Sequence, residues 1–232
     1  MKFLCGEIFF TFIFISFSIS LQAQDWPNLS RYRDENLKLG SPAQNENRIV
    51  FMGNSITEGW LTADSNFFNG KPYINRGISG QTTPQMLLRF RTDVIELQPK
   101  IVVILAGTND IAENTGPTTL EIIEGNIKSM CELAQANNIA IVLCSILPAY
   151  DYWWKKGTYP SEKISALNEW IKNYANKNNF VYVDYYSIMV DERKGLKVEF
   201  SDDDVHPNLA GYKAMEPLIE QGIASAIKKI ND

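Results

Sequence analysis

The sequence predicts an α/β protein, three layers with a five-stranded parallel sheet between two layers of helices. From Arg48 onward, short apolar runs alternate with stretches of helical periodicity, the pattern of strands joined by crossover helices. One run, Ile101 to Ala106, is apolar at every position, as a strand covered on both faces must be. No repeat, low-complexity tract or linker interrupts the pattern, so one domain over residues 24–232 is expected.

The first strand is expected from Arg48 to Met52, ending at Gly53, and a shorter second from Tyr73 to Asn75. Ile101 to Ala106 is the third, and Ile139 to Ile146 and Phe180 to Tyr185 supply the fourth and fifth. Leu120, Ile123, Ile127, Met130 and Ala134 recur at spacings of three and four, marking one face of a helix. Ile164, Leu167, Trp170 and Ile171 mark the next. After His206, the positions Leu209, Tyr212, Met215, Ile219, Ile223 and Ile227 predict a closing helical region, which Pro217 is expected to kink or restart. Asn28 to Leu39 is expected to form a short helix strapped over the domain.

The N-terminus reads as an address. Met1 to Glu7 carry one lysine, Ile8 to Leu21 are mostly apolar, and Leu21-Gln22-Ala23 ends on a small residue suited to cleavage. The apolar run is shorter than the ~20 residues of a membrane span. Residues 1–23 are therefore expected to be a signal peptide, with the mature protein exported to the periplasm or beyond and not inserted in a membrane. The net charge of −5 over 232 residues disfavours nucleic acid as a partner. Cleavage leaves Cys131 and Cys144, one on a predicted helix and one on a strand. Layers ~10 Å apart exceed the ~7 Å Cα separation a disulfide tolerates, so two buried free thiols are expected.

In open parallel sheets, ligands bind beyond the carboxyl ends of the strands. Four polar segments fall there. Gly53-Asn54-Ser55 puts a serine on a strand-to-helix turn, where it can face solvent, although serines there also commonly cap the helix. Asn75-Arg76-Gly77-Ile78-Ser79-Gly80 lets backbone approach a ligand closely, or simply turns. Gly107-Thr108-Asn109-Asp110 offers an Asn amide for an oxyanion, or an ordinary turn. Asp203-Asp204-Val205-His206-Pro207 holds the protein's one histidine. Histidine is the side chain best matched to activating a serine near neutral pH, and a carboxylate three residues earlier can orient its ring. Asp202, Asp203 and Asp204 lack the spaced oxygens of a calcium loop.

These four segments, in this order, resemble the SGNH (GDSL-type) hydrolase family, from about Arg48 to the last helix. The resemblance implies a flavodoxin-like sheet and no metal or other cofactor. It implies Ser55 as nucleophile, His206 as base and Asp203 as its partner, with an oxyanion hole from the Ser55 and Gly80 N–H groups and the Asn109 amide. One position departs from the pattern: Asn54 stands where the family's Gly-Asp-Ser opening has an acid.

The expected function is hydrolysis of short acyl esters, chiefly acetyl, through an acyl-enzyme on Ser55. Tyr152, Trp153 and Trp154, in an aromatic segment after the fourth strand, are candidates for stacking on a sugar of an oligosaccharide substrate, or else only plug the surface. Lipid-ester or thioester hydrolysis is the rival within the family. A non-catalytic carbohydrate-binding protein is the rival outside it.

Overall fold

The computed structural model describes residues 25–232, so the signal peptide expected over residues 1–23 lies outside the described residues. Five strands, β1 (Ile49–Gly53), β2 (Tyr73–Gly77), β3 (Ile101–Leu105), β4 (Ala140–Cys144) and β5 (Val181–Val183), form one parallel sheet ordered β2-β1-β3-β4-β5. The chain reverses its direction of travel across the sheet at β1, which opens a crevice at the carboxyl ends of β1 and β3.

Strand alternation separates two cores. Val50, Met52, Val102 and Ile104 face α4 (Thr83–Asp93), α6 (Leu120–Ala136) and α7 (Ser161–Lys177). Ile49, Phe51, Ile101 and Val103 face α2 (Ser55–Ala63) and α9 (Leu209–Asn231). Each such buried side chain contributes about 1.5–3 kcal/mol relative to exposure. The remaining helices are short: α1 (Arg33–Leu39), α3 (Ser65–Phe68), α5 (Thr108–Ile111) and α8 (Tyr186–Met189).

The helix starts follow from local chemistry. Thr82 and Gln85 form a capping box on α4, and the Thr119 and Asn208 side chains cap α6 and α9. The N-terminal strap is helical only over Arg33–Leu39, because Asp25 draws the chain before it into turns by accepting from the Leu29 and Ser30 N–H groups.

Strands β4 and β5 are shorter than the expected runs Ile139 to Ile146 and Phe180 to Tyr185, and two further expectations are corrected. Strand β2 continues through Gly77 because its polar residues are satisfied: the Asn75 amide donates to the Thr57 carbonyl and accepts from the Gly77 N–H. Pro217 does not restart the closing helix, and α9 runs unbroken through it. Met215 and Ile219 on either side are fully buried, and that packing offsets the missing backbone bond. Cys131 and Cys144 are buried free thiols, and burial pushes both up to about 12. Among the described residues no helix is long and apolar enough to cross a membrane.

Candidate active site

Ser55 is the first residue of α2, but it does not cap it. Asn54 does: its side chain accepts from the Ile56 N–H at 3.0 Å, and Asn54 is buried beneath the turn. The residue that departs from the family pattern thus leaves the serine hydroxyl unengaged by its own helix. Ser55 Oγ instead lies 2.9 Å from His206 Nε2. His206 Nδ1 lies 2.7 Å from Asp203 Oδ2.

The loop carrying Asp203 and His206 is held by its own hydrogen bonds. Asp203 Oδ1 accepts from the Val205 N–H at 3.0 Å and the His206 N–H at 2.7 Å, and Ser201 Oγ donates to the His206 carbonyl at 2.8 Å. Partial burial pushes the Asp203 carboxyl up, but the His206 N–H, the His206 ring and the Val205 N–H together hold it below the ordinary carboxylate range. Asp203 is therefore ionised at neutral pH, facing the imidazole. Ser201 is a site residue without a signature in the sequence, since a serine before three aspartates carries no distinguishing signal.

Gly77 and Gly80 each answer a physical requirement. A Cβ on Gly77 would stand 2.1 Å from the Glu58 backbone nitrogen, so only glycine lets β2 end against α2. Gly80 has φ +76°, the left-handed region that favours glycine. Around it, Ser79 N–H donates to Glu58 Oε2 at 2.8 Å and the Tyr32 hydroxyl donates to the Gly77 carbonyl, tying the loop to α2 and the strap. Gln81 reaches the strap as well, donating to the Pro27 carbonyl at 2.7 Å.

Asn109 is buried on α5 and donates one amide hydrogen to the Gln81 carbonyl at 3.0 Å, leaving its second free. The N–H groups of Ser55 and Gly80 have no hydrogen-bond partner among the described residues. Three donors without partners thus stand at the ends of three adjacent strands, β2, β1 and β3. Beside Asn109, Asp110 accepts from both the Thr83 N–H and hydroxyl, and burial raises its carboxyl to about 6 against those bonds.

The aromatic segment divides. Tyr152 is corrected from a candidate substrate contact to a core residue: it is fully buried, and its hydroxyl pairs with Thr108 Oγ1 at 2.9 Å. Its ring supports Trp154 from beneath at 4.9 Å, and the Trp154 ring lies 6.3 Å from that of His206. Trp153 is 59% exposed and meets Trp154 edge-on.

A cavity of about 1020 Å³ opens on Ser55 and His206 and runs between α1 and α2 over β2. Arg31, Glu35 and Glu58 form its charged rim, while Leu61, Phe68 and Tyr73 line it further out. This wall carries no signal in the sequence, because nothing in the local pattern of the strap says what it packs against. Among the described residues no group of three or more His, Cys, Asp or Glu side chains is arranged to hold a metal.

The model of the GDSL-like lipase/acylhydrolase family matches residues 51–214. The solved structure of a GDSL-like lipase from Bacteroides thetaiotaomicron is 50% identical, covering 86% of this chain and 98% of its own, with a TM-score of 0.83. Lipoprotein YqeF of Bacillus subtilis is 32% identical over 155 residues, 65% of this chain and 63% of that protein. An acetylxylan esterase of Xylanibacter ruminicola is 27% identical over 225 residues, 81% of this chain and 44% of that protein. The chain thus spans less than two thirds of the length of these two curated relatives.

Proposed function

This chain belongs to the GDSL-like lipase/acylhydrolase family, and from that premise we propose that it is an exported serine esterase removing short acyl groups, chiefly acetyl, from carbohydrates. The observation that carries the chemistry is the continuous line Ser55 Oγ, His206 Nε2, His206 Nδ1, Asp203 Oδ2, with separations of 2.9 and 2.7 Å. With its Nδ1 proton donated to Asp203, His206 presents Nε2 as the acceptor for the serine proton.

Ser55 Oγ attacks the ester carbonyl carbon as His206 takes its proton. The carbonyl oxygen, now negative, accepts from the Ser55 N–H, the Gly80 N–H and the free Asn109 amide hydrogen. His206 then gives its proton to the departing alkoxide, leaving Ser55 acylated. Water activated by the same histidine releases the acid and restores the serine.

The cavity supports a carbohydrate ester as substrate. It is bordered by His206, Pro207 and Tyr212 but not by Gly80 or Asn109, so it suits the alcohol half of the ester, whose oxygen must reach His206. A volume of about 1020 Å³ accepts several linked rings. The end nearest Ser55 is rimmed by the Arg31–Glu58 ion pair, a polar border that can exchange hydrogen bonds with sugar hydroxyl groups. The acetylxylan esterase relative agrees with that class, and the expected signal peptide together with the lipoprotein relative supports export.

Acid release from 4-nitrophenyl acetate and from acetylated xylo-oligosaccharides, by the wild type and Ser55→Ala, tests this reading. The variant is expected to keep its fold and lose at least ~10³-fold in turnover. Equal rates in the two proteins would end the serine mechanism. Activity that grows with acyl chain length, with the oligosaccharide esters untouched, would replace carbohydrate by lipid.

A further inference from the structure

The N–H of Gly80 belongs to the peptide unit between Ser79 and Gly80, and that unit has no hydrogen bond of its own among the described residues. Its neighbours are both held. On one side the Ser79 N–H is anchored to Glu58 at 2.8 Å. On the other the Gly80 carbonyl accepts from the Asn114 side-chain amide at 3.3 Å. Gly80 has a left-handed φ, and an added Cβ would meet nothing within 4 Å, so nothing packs against the place a side chain would take. The Gln81 N–H, donating to the Ile78 carbonyl at 3.3 Å, closes a turn across this unit, and the flanking hydrogen bonds complete its orientation.

Asn114 touches the second donor residue as well, since its backbone N–H donates to the Asn109 carbonyl at 3.0 Å. Its side-chain oxygen is also engaged, accepting from the Trp154 indole N–H at 2.9 Å. That contact decides which way the amide faces: with Oδ1 on the indole, Nδ2 is turned to Gly80. The Lys155–Glu113 ion pair fastens the same two loops one residue along. Asn114 is exposed, lies in a turn, and has no structural burden that a core residue would carry.

We infer that Asn114 is a positioning residue for the oxyanion hole, aiming the Gly80 N–H and coupling the hole to Trp154. The inference rests on the esterase reading above. Trp154 thereby acts on turnover through Asn114, in addition to any contact it makes with a substrate at its own ring.

The experiment measures kcat and KM on 4-nitrophenyl acetate, with melting temperature, for wild type, Asn114→Ala, Asn114→Gln and Trp154→Phe. Loss of an oxyanion donor costs ~10²–10³ in turnover, and misaiming one costs part of that, about tenfold. Asn114→Ala is expected to lose about tenfold in kcat, with KM within about twofold and melting unchanged. Asn114→Gln restores part of the loss, and Trp154→Phe, which frees the amide to flip, falls between wild type and Asn114→Ala. A kcat for Asn114→Ala within about twofold of wild type would overturn the inference, as would a loss that simply follows a lowered melting temperature. If the wild type hydrolyses the ester through Ser55 while Asn114→Ala matches it, only this inference falls. An inactive wild type, or one matched by Ser55→Ala, brings down the esterase reading and this inference with it.

Discussion

The floor and the rim of the site are built from the same residue types at different depths, and depth separates what those residues do. Trp60 lies in the floor, 2% exposed on the buried face of the helix that begins with Ser55, stacked on Phe67 at 4.7 Å and on Tyr212 at 5.2 Å. Trp153 lies on the rim, 59% exposed, touching Trp154 edge-on. The carboxylates divide in the same way. Asp110 in the floor is raised by burial, whereas Asp203 on the rim is lowered by the hydrogen bonds it accepts. A buried ring or acid here holds structure, and an exposed one is available to chemistry.

Removing the floor tryptophan tests that division most severely. Trp60→Ala leaves a large cavity among Phe51, Phe67 and Phe68, and should cost about 3–5 kcal/mol, lowering the melting temperature by roughly 10 °C. Calorimetry checks it. A melting temperature within a degree or two of wild type would erase the distinction between floor and rim.

Asp110 sharpens the comparison through pH. Its carboxyl is raised from 3.8 to about 6 in the fold, so the stability it contributes is fully present below pH 3.8 and is lost as pH rises through about 6. The stability gap between wild type and Asp110→Asn should therefore narrow between pH 4 and 7, as read by urea unfolding. A gap that widened would mean the Thr83 hydrogen bonds outweigh burial. The smallest effect belongs to the rim: Trp153→Ala should raise KM for acetylated oligosaccharides a few-fold, with little change in melting temperature. Steady-state kinetics decides it, and an unchanged KM would make Trp153 surface cover only.

Much of the frame was legible because it rests on local pattern. The all-apolar run at Ile101 reads as a doubly covered strand, and β1 and β3 lie within one residue of their expected ends. The gathering of Ser55, Asp203 and His206 was legible because polar groups at the ends of parallel strands converge by topology. Depth was not legible. Tyr152 and Trp153 are adjacent in one aromatic run, and nothing in their spacing says that the first is buried and the second exposed. Nor does sequence reveal that a lone Asn114 in a turn would meet residues 34 and 40 positions away. Pro217 misled because local backbone chemistry predicts a break that burial on both sides overrides.

The Ser55–His206 contact joins residues 151 positions apart, across every crossover of the sheet. Closing a loop of that length costs conformational entropy, which the other native contacts of the sheet must offset. The pair therefore depends on the whole sheet: β2 to β5 and the helices between them must be in place for His206 to stand beside Ser55. The nearness of these two side chains is thus a report on the integrity of the entire fold, and a change that moves β1 away from the loop carrying His206 separates them even when neither residue is touched.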